Sequence, residues 1–197
     1  MIYKSYIVEQ NINTLENNIV LFYGENIGLK NDFKNQIKIN NHKTFIKRIS
    51  QDEILANKEI FFSEILNTTL FDDKKIYFID QTTDKLLDII KEIEKDIDTQ
   101  KIYLFSEILE KKSKVRSYFE KSNSLGIVAC YPDNDIAIRK IIQEKLKKYD
   151  GISQQILNII VENCKSDRVK LNNELKKITS FFTNNIIEKN KLELLLN

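Results

Sequence analysis

A glycine-containing loop that follows a run of apolar residues is the first feature of this sequence that could perform chemistry. The run at residues 18–23 is closed by Gly24, and Gly28 follows after three intervening residues. A strand, a glycine loop and a helix in this order can hold phosphate groups on backbone amides. The phosphate-loop pattern, however, needs four residues between its glycines, then Lys and Ser or Thr. Here an extra residue precedes Lys30, and Asn31 stands where a metal-binding hydroxyl is required. The sequence therefore predicts a nucleotide-site scaffold that lacks nucleotide chemistry.

Other residue types that catalyse reactions or bind metals are scattered along the chain. Asp80 ends a strand-like run, where nucleotide-binding folds often place a magnesium ligand, but Gln81 and not a second acid follows it. We expect Asp80 to be a strand-end or helix-capping group. Cys130 and Cys164 are far apart and have no His nearby, which is not metal-site spacing. His42 has no nucleophile partner, so we expect it at the surface. The sequence predicts no catalytic residue, no metal site and no cofactor.

Two large apolar side chains, Leu70 and Phe71, stand on a short polar connection after Thr68 and Thr69. A helix-like segment at residues 57–66 precedes this connection, and a strand-like run follows it. Loops lie at the surface because their backbone needs water or other partners. The pair is therefore either packed under the domain or displayed to a binding partner. The pattern alone favours packing, because most such side chains belong to a core.

Alternating strands and helices organise the first part of the chain. The sequence has 197 residues, is 42% hydrophobic and contains only 4 Gly and 1 Pro, which favours a helix-rich structure. An edge strand is predicted within residues 1–8, and further strands at 18–23, 43–49, 75–80, 101–105 and 124–130. Helices are predicted at 29–39, 52–66, 85–97 and 113–121. This order predicts an α/β fold, a parallel sheet flanked by helices.

The segment Tyr131-Pro132-Asp133-Asn134-Asp135 contains the only proline and is the best candidate boundary between domains. Beyond it the strand pattern stops. Helices are predicted at 136–149, after Ser153, after Ser166 or Asp167, and from residue 188 onward, which together predict a small all-α bundle. We therefore expect two domains, residues 1–135 and 136–197.

The bundle carries an excess of basic residues. Residues 139–197 contain 12 basic and 7 acidic residues, a net charge of +5. The basic residues expected at its surface include Lys165, Arg168, Lys170, Lys176 and Lys177. Such a surface suits an acidic partner such as nucleic acid, or it is simply a solvated helical face.

The N-terminal sequence and the cysteines indicate the cellular compartment of the protein. No long apolar segment follows Lys4, so a signal peptide is not predicted. No apolar run approaches the roughly 18–20 residues of a membrane span. With two separated cysteines the sequence predicts a reduced, cytoplasmic protein.

An α/β domain with a degenerate phosphate loop, followed by a small helical bundle, resembles the AAA+ architecture of clamp-loader subunits. It is similar above all to the delta subunits of bacterial DNA polymerase III. Four segments carry this resemblance, and they occur in the order of the family: residues 21–25 (Leu-Phe-Tyr-Gly-Glu), 69–71 (Thr-Leu-Phe), 130–132 (Cys-Tyr-Pro) and 171–178 (Leu-Asn-Asn-Glu-Leu-Lys-Lys-Ile). Together they span nearly the whole chain.

The resemblance implies a function in DNA replication that needs no catalytic site. Delta subunits neither bind nor hydrolyse ATP, and they open the sliding clamp by inserting a Leu-Phe pair into an apolar pocket of it. By position, Leu70 and Phe71 would be these anchors, flanked by Thr68 and Thr69. The resemblance further implies as partners the beta clamp, the gamma/tau and delta prime subunits in the full-length protein, and DNA within the loader. The chain would then be a non-catalytic subunit of the polymerase holoenzyme, a nucleotidyltransferase complex.

One departure and two alternatives accompany this interpretation. The family has a third, collar domain that would begin where the sequence ends at Asn197, so we expect this piece to bind clamp without assembling into a loader. One alternative is a genuine AAA+ ATPase with an unusual loop, for which Lys30 would bind nucleotide. Another is a DNA-binding module that uses Lys176 and Lys177.

Overall fold

The computed structural model describes residues 1–66 and 74–196, which form two compact units. The first unit contains residues 1–25 and 30–130, and the second contains residues 26–29 and 131–197. The domain boundary that the sequence predicts after residue 135 stays a prediction.

The first unit is built on a six-stranded sheet in which the strand order is β1-β6-β2-β5-β4-β3. Every pairing between these strands is parallel. The strands are β1 (Ile2–Tyr3), β2 (Ile19–Tyr23), β3 (Phe45–Ser50), β4 (Lys75–Asp80), β5 (Lys101–Phe105) and β6 (Gly126–Ala129). Because parallel strands need crossover connections, helices lie between them. The α/β class predicted from the sequence is confirmed.

The helices of the first unit follow the strands in alternation. They are α1 (Ser5–Gln10), α2 (Ile27–Asn40), α3 (Gln51–Ala56), α4 (Lys58–Leu66), α5 (Leu87–Asp96) and α6 (Lys114–Lys121), with 3₁₀ turns at Ile12–Thr14 and Asp84–Leu86. Residues 30–40 of α2 belong to this unit. Ser50 begins α3 with a capping box, in which Ser50 and Glu53 satisfy each other's backbone amides.

Both faces of the sheet are covered, which explains why all five residues of β2 are buried. On one face, Leu21, Tyr77 and Leu104 share a core with side chains of α3 to α6. On the other face, the Phe22 ring lies 5.1 Å from the ring of Phe33 in α2 and 5.1 Å from the ring of Phe105, measured between centroids. Because successive side chains of a strand point to opposite faces of the sheet, they pack into two separate cores.

The second unit is a helical bundle around its own core. Its helices are α7 (Asp135–Lys145), α8 (Gln154–Cys164), α9 (Arg168–Phe181) and α10 (Lys189–Leu196). Asn134, Ser153 and Asp167 cap the first three of these through side-chain oxygens that accept backbone N–H bonds. Ile142, Ile160, Leu171, Ile178 and Leu192 are among the fully buried residues that fill it. Within residues 1–66 and 74–196, no helix is long and apolar enough to cross a bilayer.

Two element predictions are wrong in detail. The predicted edge strand within residues 1–8 is limited to Ile2–Tyr3, and α1 follows from Ser5 because it buries Val8 on one face. The predicted helix at 52–66 is two helices, since Asn57 has φ −135° and ψ 51° and ends α3.

Candidate functional site

Contacts within the first unit determine the backbone conformation of Gly24, the first residue of the glycine loop. Gly24 has φ +126°, and a Cβ there would lie 2.3 Å from the carbonyl oxygen of Cys130. Its amide donates to the carbonyl oxygen of Glu107 at 3.0 Å. A side chain at this position would therefore collide with backbone and strain φ. The close approach of Cys130, which directly follows β6, is sufficient to require glycine at position 24.

Lys30, the residue that would bind phosphate in an active loop, is engaged inside the first unit. It is 8% exposed. Its Nζ donates to the carbonyl oxygens of Gly24 at 2.8 Å and Ser106 at 2.7 Å. Burial lowers the pKa of Lys30 below its ordinary value, although the charges of neighbouring groups partly oppose this. The ammonium thus joins the ends of the neighbouring strands β2 and β5.

Asp80, at the end of β4, forms an ion pair with Lys34 of α2, with an O–N distance of 2.5 Å. The Lys34 Nζ also lies 4.2 Å from the centroid of the Phe105 ring, where the ring's negative face stabilises it. The carboxylate is therefore a strand-end group with a cation beside it. The sequence pattern did not identify Lys34 as this partner.

Two further polar residues, Ser106 and Thr82, close this edge of the sheet, and sequence reasoning missed both. The Ser106 hydroxyl donates to the carbonyl oxygen of Thr82 at 2.6 Å. The Thr82 amide donates to Phe105 at 3.0 Å, and the Ser106 amide donates to Phe22 at 2.8 Å. The available sequence signal was that Ser106 directly follows β5 and that Thr82 lies two residues after β4. These bonds satisfy the backbone where β2, β4 and β5 end.

The second half of the loop, residues 26–29, is held within the second unit. The Asn26 side chain accepts from the Leu29 amide at 2.9 Å and donates to the carbonyl oxygen of Tyr131 at 3.0 Å. It also donates to Asp133 at 2.8 Å. A Cβ on Gly28 would lie 2.6 Å from the Cβ of Arg168. A protein side chain thus already caps a helix-start amide that could have bound an anion.

These contacts do not fit a bound magnesium nucleotide. The ammonium of Lys30 and the amide of Leu29 both have protein acceptors. The loop is one residue short, and Asn31 offers no hydroxyl. Each half of the loop is stabilised by its own unit and needs no phosphate.

The predicted clamp-binding residues Thr68, Thr69, Leu70 and Phe71 lie outside the described residues. The elements that precede and follow them pack into the first unit. In α4, Phe61 and Ile65 are buried, and Glu64 pairs with Lys47 of β3 at 2.6 Å. On the other side, β4 starts at Lys75 and pairs with both β3 and β5.

The basic residues predicted in the bundle fall into two groups. Lys176 and Lys177 are exposed on α9, where Lys177 pairs with Glu174 at 2.5 Å. The prediction that Arg168 is exposed is wrong, since it is 6% exposed and its Nη1 lies 3.1 Å from the Asp133 carboxylate. The partner is 35 residues earlier in the chain, so helical periodicity does not reveal it.

Comparisons with known proteins agree with the resemblance. No protein-family model matches the sequence. Over 83 residues the chain is 30% identical to the probable DNA polymerase III subunit delta of Rickettsia prowazekii. That match covers 42% of this chain and 26% of the relative.

Solved structures with a similar fold cover almost the whole chain. The DNA clamp loader delta protein of Bacillus subtilis matches with a TM-score of 0.64 and 11% identity, over 97% of this chain and 62% of that one. The Holliday junction branch migration motor RuvB of Thermotoga maritima matches with a TM-score of 0.57 and 15% identity, over 97% of this chain and 64% of that one. The AAA+-like fold class and the resemblance to clamp-loader delta subunits are thereby confirmed. The chain spans less than two thirds of each of these three proteins.

Proposed function

We propose that this chain is a delta-like clamp-loader subunit that binds the sliding clamp of a bacterial DNA polymerase III and opens it for loading onto DNA. Similarity to delta subunits carries the proposal. A delta subunit matches it in sequence over 83 residues, and a clamp-loader delta protein has a similar fold over 97% of the chain. The similarity in sequence favours this function over that of the RuvB motor, for which only the fold is similar.

The clamp contact is assigned to Leu70 and Phe71, with Thr68 and Thr69 as flanking contacts. The support is their position in the sequence, between α4 and β4, whose buried side chains and strand pairing hold both ends of the connection. A rigid scaffold that carries a short apolar segment suits recognition of a pocket. Two such anchors contribute on the order of 2 kcal/mol or more each at an interface.

Opening of the clamp requires binding energy and no covalent chemistry in this subunit. A protein that binds the open clamp better than the closed one shifts the clamp's equilibrium toward the open form. The absence of ATP hydrolysis is part of the proposal. It is supported by the engagement of Lys30 with Gly24 and Ser106, and by Asn31 in place of a hydroxyl.

The partners follow from the same assignment. They are the beta clamp, the gamma/tau and delta prime subunits in the full-length protein, and DNA within the loader, to which Lys176 and Lys177 would contribute. The chain would act in the cytoplasm as a non-catalytic part of the polymerase holoenzyme.

The test measures binding of the 197-residue chain to the sliding clamp of the same organism, for instance by calorimetry. The parent should bind, and the double variant Leu70→Ala/Phe71→Ala should bind at least about a hundredfold more weakly. Ile39→Ala/Phe45→Ala is a matched control, because it removes similar apolar side chains that are 72% and 63% exposed elsewhere. The control should bind as the parent does. Equal binding by all three would contradict the assigned residues, and no binding by a folded parent would contradict the proposed function.

A further inference from the structure

A groove lined by lysines lies between α5 and α6 in the first unit. It has a volume of about 540 Å³. We call it the lysine groove and define it by Lys91, Lys111, Lys112, Lys114 and Lys121. The other residues that line it are three serines, Leu87 and Tyr118, and no Asp or Glu is among the described lining residues. A concave surface with five positive charges attracts anions.

Most of this charge is available to a ligand. Lys111, Lys114 and Lys121 form no ion pair within the described part of the chain. Lys112 pairs with Glu110 at 2.8 Å and Lys91 pairs with Asp88 at 3.4 Å. The side chains of Glu110 and Asp88 are 65% and 95% exposed, so both pairs are weak and a ligand can replace them.

The backbone at the start of α6 is not the source of the attraction. The Asp84 carboxylate accepts from the amides of Val115 at 2.9 Å and Lys114 at 3.1 Å. It also accepts from the Ser113 hydroxyl, which caps the helix, at 2.7 Å. These amides therefore already donate to a carboxylate and do not attract the ligand. Asp84 fixes the wall of the groove, and the lysine side chains provide its charge.

The charge of the groove comes from lysines, since the nearby arginine is engaged elsewhere. Arg116, on the same helix, is turned away from the groove to Glu120 at 2.8 Å and to the carbonyl oxygen of Leu109 at 2.9 Å. The cations among the described residues that line the groove are all lysines. Several lysines on flexible stems suit the repeated phosphates of a nucleic-acid backbone.

Tyr118 places an aromatic ring in the groove, and the Nζ of Lys91 lies 5.8 Å from its centroid. Its ring lines the groove, and its hydroxyl donates to Glu94 at 2.5 Å, which fixes the side chain. Grooves that bind single strands combine positive charge along the backbone with an aromatic ring on which a base stacks. We propose that the lysine groove binds single-stranded nucleic acid through its phosphates, without reading sequence. This site is independent of clamp binding and of Lys176 and Lys177.

Fluorescence anisotropy of a labelled oligothymidine of about 20 nucleotides tests the proposal with the whole chain. The parent should bind at about 50 mM salt and lose affinity steeply toward about 200 mM. The variant Lys111→Gln/Lys112→Gln/Lys114→Gln should bind about tenfold more weakly. Its plot of log K against log salt should be shallower by about 2, since three phosphate contacts are lost.

A matched control changes the same charge elsewhere. Lys145→Gln/Lys147→Gln/Lys148→Gln removes three exposed lysines of the second unit and should leave affinity within about twofold of the parent. Equal losses in both triple variants would overturn the proposal, as would a parent that does not bind at about 50 mM salt. If a polyglutamate peptide displaces the oligothymidine with equal potency per charge, the nucleic-acid assignment is wrong and the ligand is an acidic protein.

A second measurement avoids variants altogether. Lysines of the parent are acetylated with and without the oligothymidine, and mass spectrometry reports the extent at each position. The bound oligothymidine should protect Lys111, Lys114 and Lys121 from acetylation and leave Lys147 and Lys148 unprotected. Uniform protection, or none, would overturn the assignment to the lysine groove.

Discussion

The ammonium of Lys30 lies 2.7 Å from the carbonyl oxygen of Ser106, and both residues are buried. The two groups are 76 residues apart in sequence. A lysine at the position of a phosphate-binding residue thus stabilises the carboxyl end of the sheet. This relationship gives the loop a structural role that experiments on stability can measure.

We expect Lys30→Met to destabilise the first unit by about 1–3 kcal/mol. Methionine keeps most of the side chain's volume but leaves the carbonyl oxygens of Gly24 and Ser106 without this donor. Urea unfolding followed by circular dichroism measures the loss. The exposed Lys58→Met is the control and should change stability by less than about 0.5 kcal/mol. Equal stability of Lys30→Met and the parent would contradict this structural role.

Magnesium ATP should leave the melting temperature of the chain unchanged. A ligand present at a hundred times its Kd would stabilise the folded state by about 2.7 kcal/mol, a shift that is easily measured. The loop has no free ammonium or matching hydroxyl for a nucleotide. Thermal unfolding with and without the nucleotide, alongside a phosphate-release assay, checks this. A rise in melting temperature that Lys30→Met abolishes would instead establish the ATPase alternative.

Stability should fall with rising pH through the alkaline range because of Tyr103. Burial raises the pKa of Tyr103 to about 12 from an ordinary value of 10.0. The unfolded chain therefore releases this proton first, so the stabilisation is complete below pH 10 and is lost as pH approaches 12. The full loss is about 2.7 kcal/mol for two pKa units.

Tyr103→Phe isolates this contribution from other alkaline titrations. The ring packs among aromatic side chains, with centroids 6.2 Å from Phe22 and 6.0 Å from Phe78, so phenylalanine should fit. At pH 7 the variant should be about as stable as the parent. Urea unfolding at pH 7, 10 and 11 should show the parent losing more free energy of unfolding than the variant. Parallel pH profiles would disprove the assignment.

In the second unit, Asp133→Ala should destabilise the fold by about 3 kcal/mol. The side chains of Arg168 and Asp133 are 5% and 8% exposed, and removing one partner of a buried ion pair is strongly destabilising. Asp133 also accepts from Asn26, and that bond would be lost too. Glu144→Ala, which breaks an exposed pair with Lys140, is the control and should cost under about 1 kcal/mol. Chemical unfolding distinguishes the two, and similar values would refute the prediction.

Much of the fold could be predicted from the sequence because apolar runs and caps are local signals. The strands Lys75–Asp80 and Lys101–Phe105 were predicted to the residue, Ser153 was identified as a cap, and Asp167 was one of two candidate caps for α9. The break at Asn57 was missed, because apolar residues continue on both sides of it.

The contacts around the loop could not be predicted, because they join residues far apart in sequence. Lys30 and Ser106, like Arg168 and Asp133, meet only after the chain has folded. Periodicity reports which face of an element is apolar and does not report which buried polar groups satisfy each other. Neither composition nor spacing could separate Leu70 and Phe71 from ordinary core residues, so their assignment rests on the resemblance and stays a prediction.

The close approach of Cys130 to Gly24 has a consequence for how such sequences are recognised. Selection against a steric clash would retain glycine here whether or not a nucleotide ever bound. A motif search that gives this glycine a high weight will therefore also match chains that have the turn but do not bind ATP. The residues that separate the two cases are those after Gly28, where a lysine and a hydroxyl must follow directly.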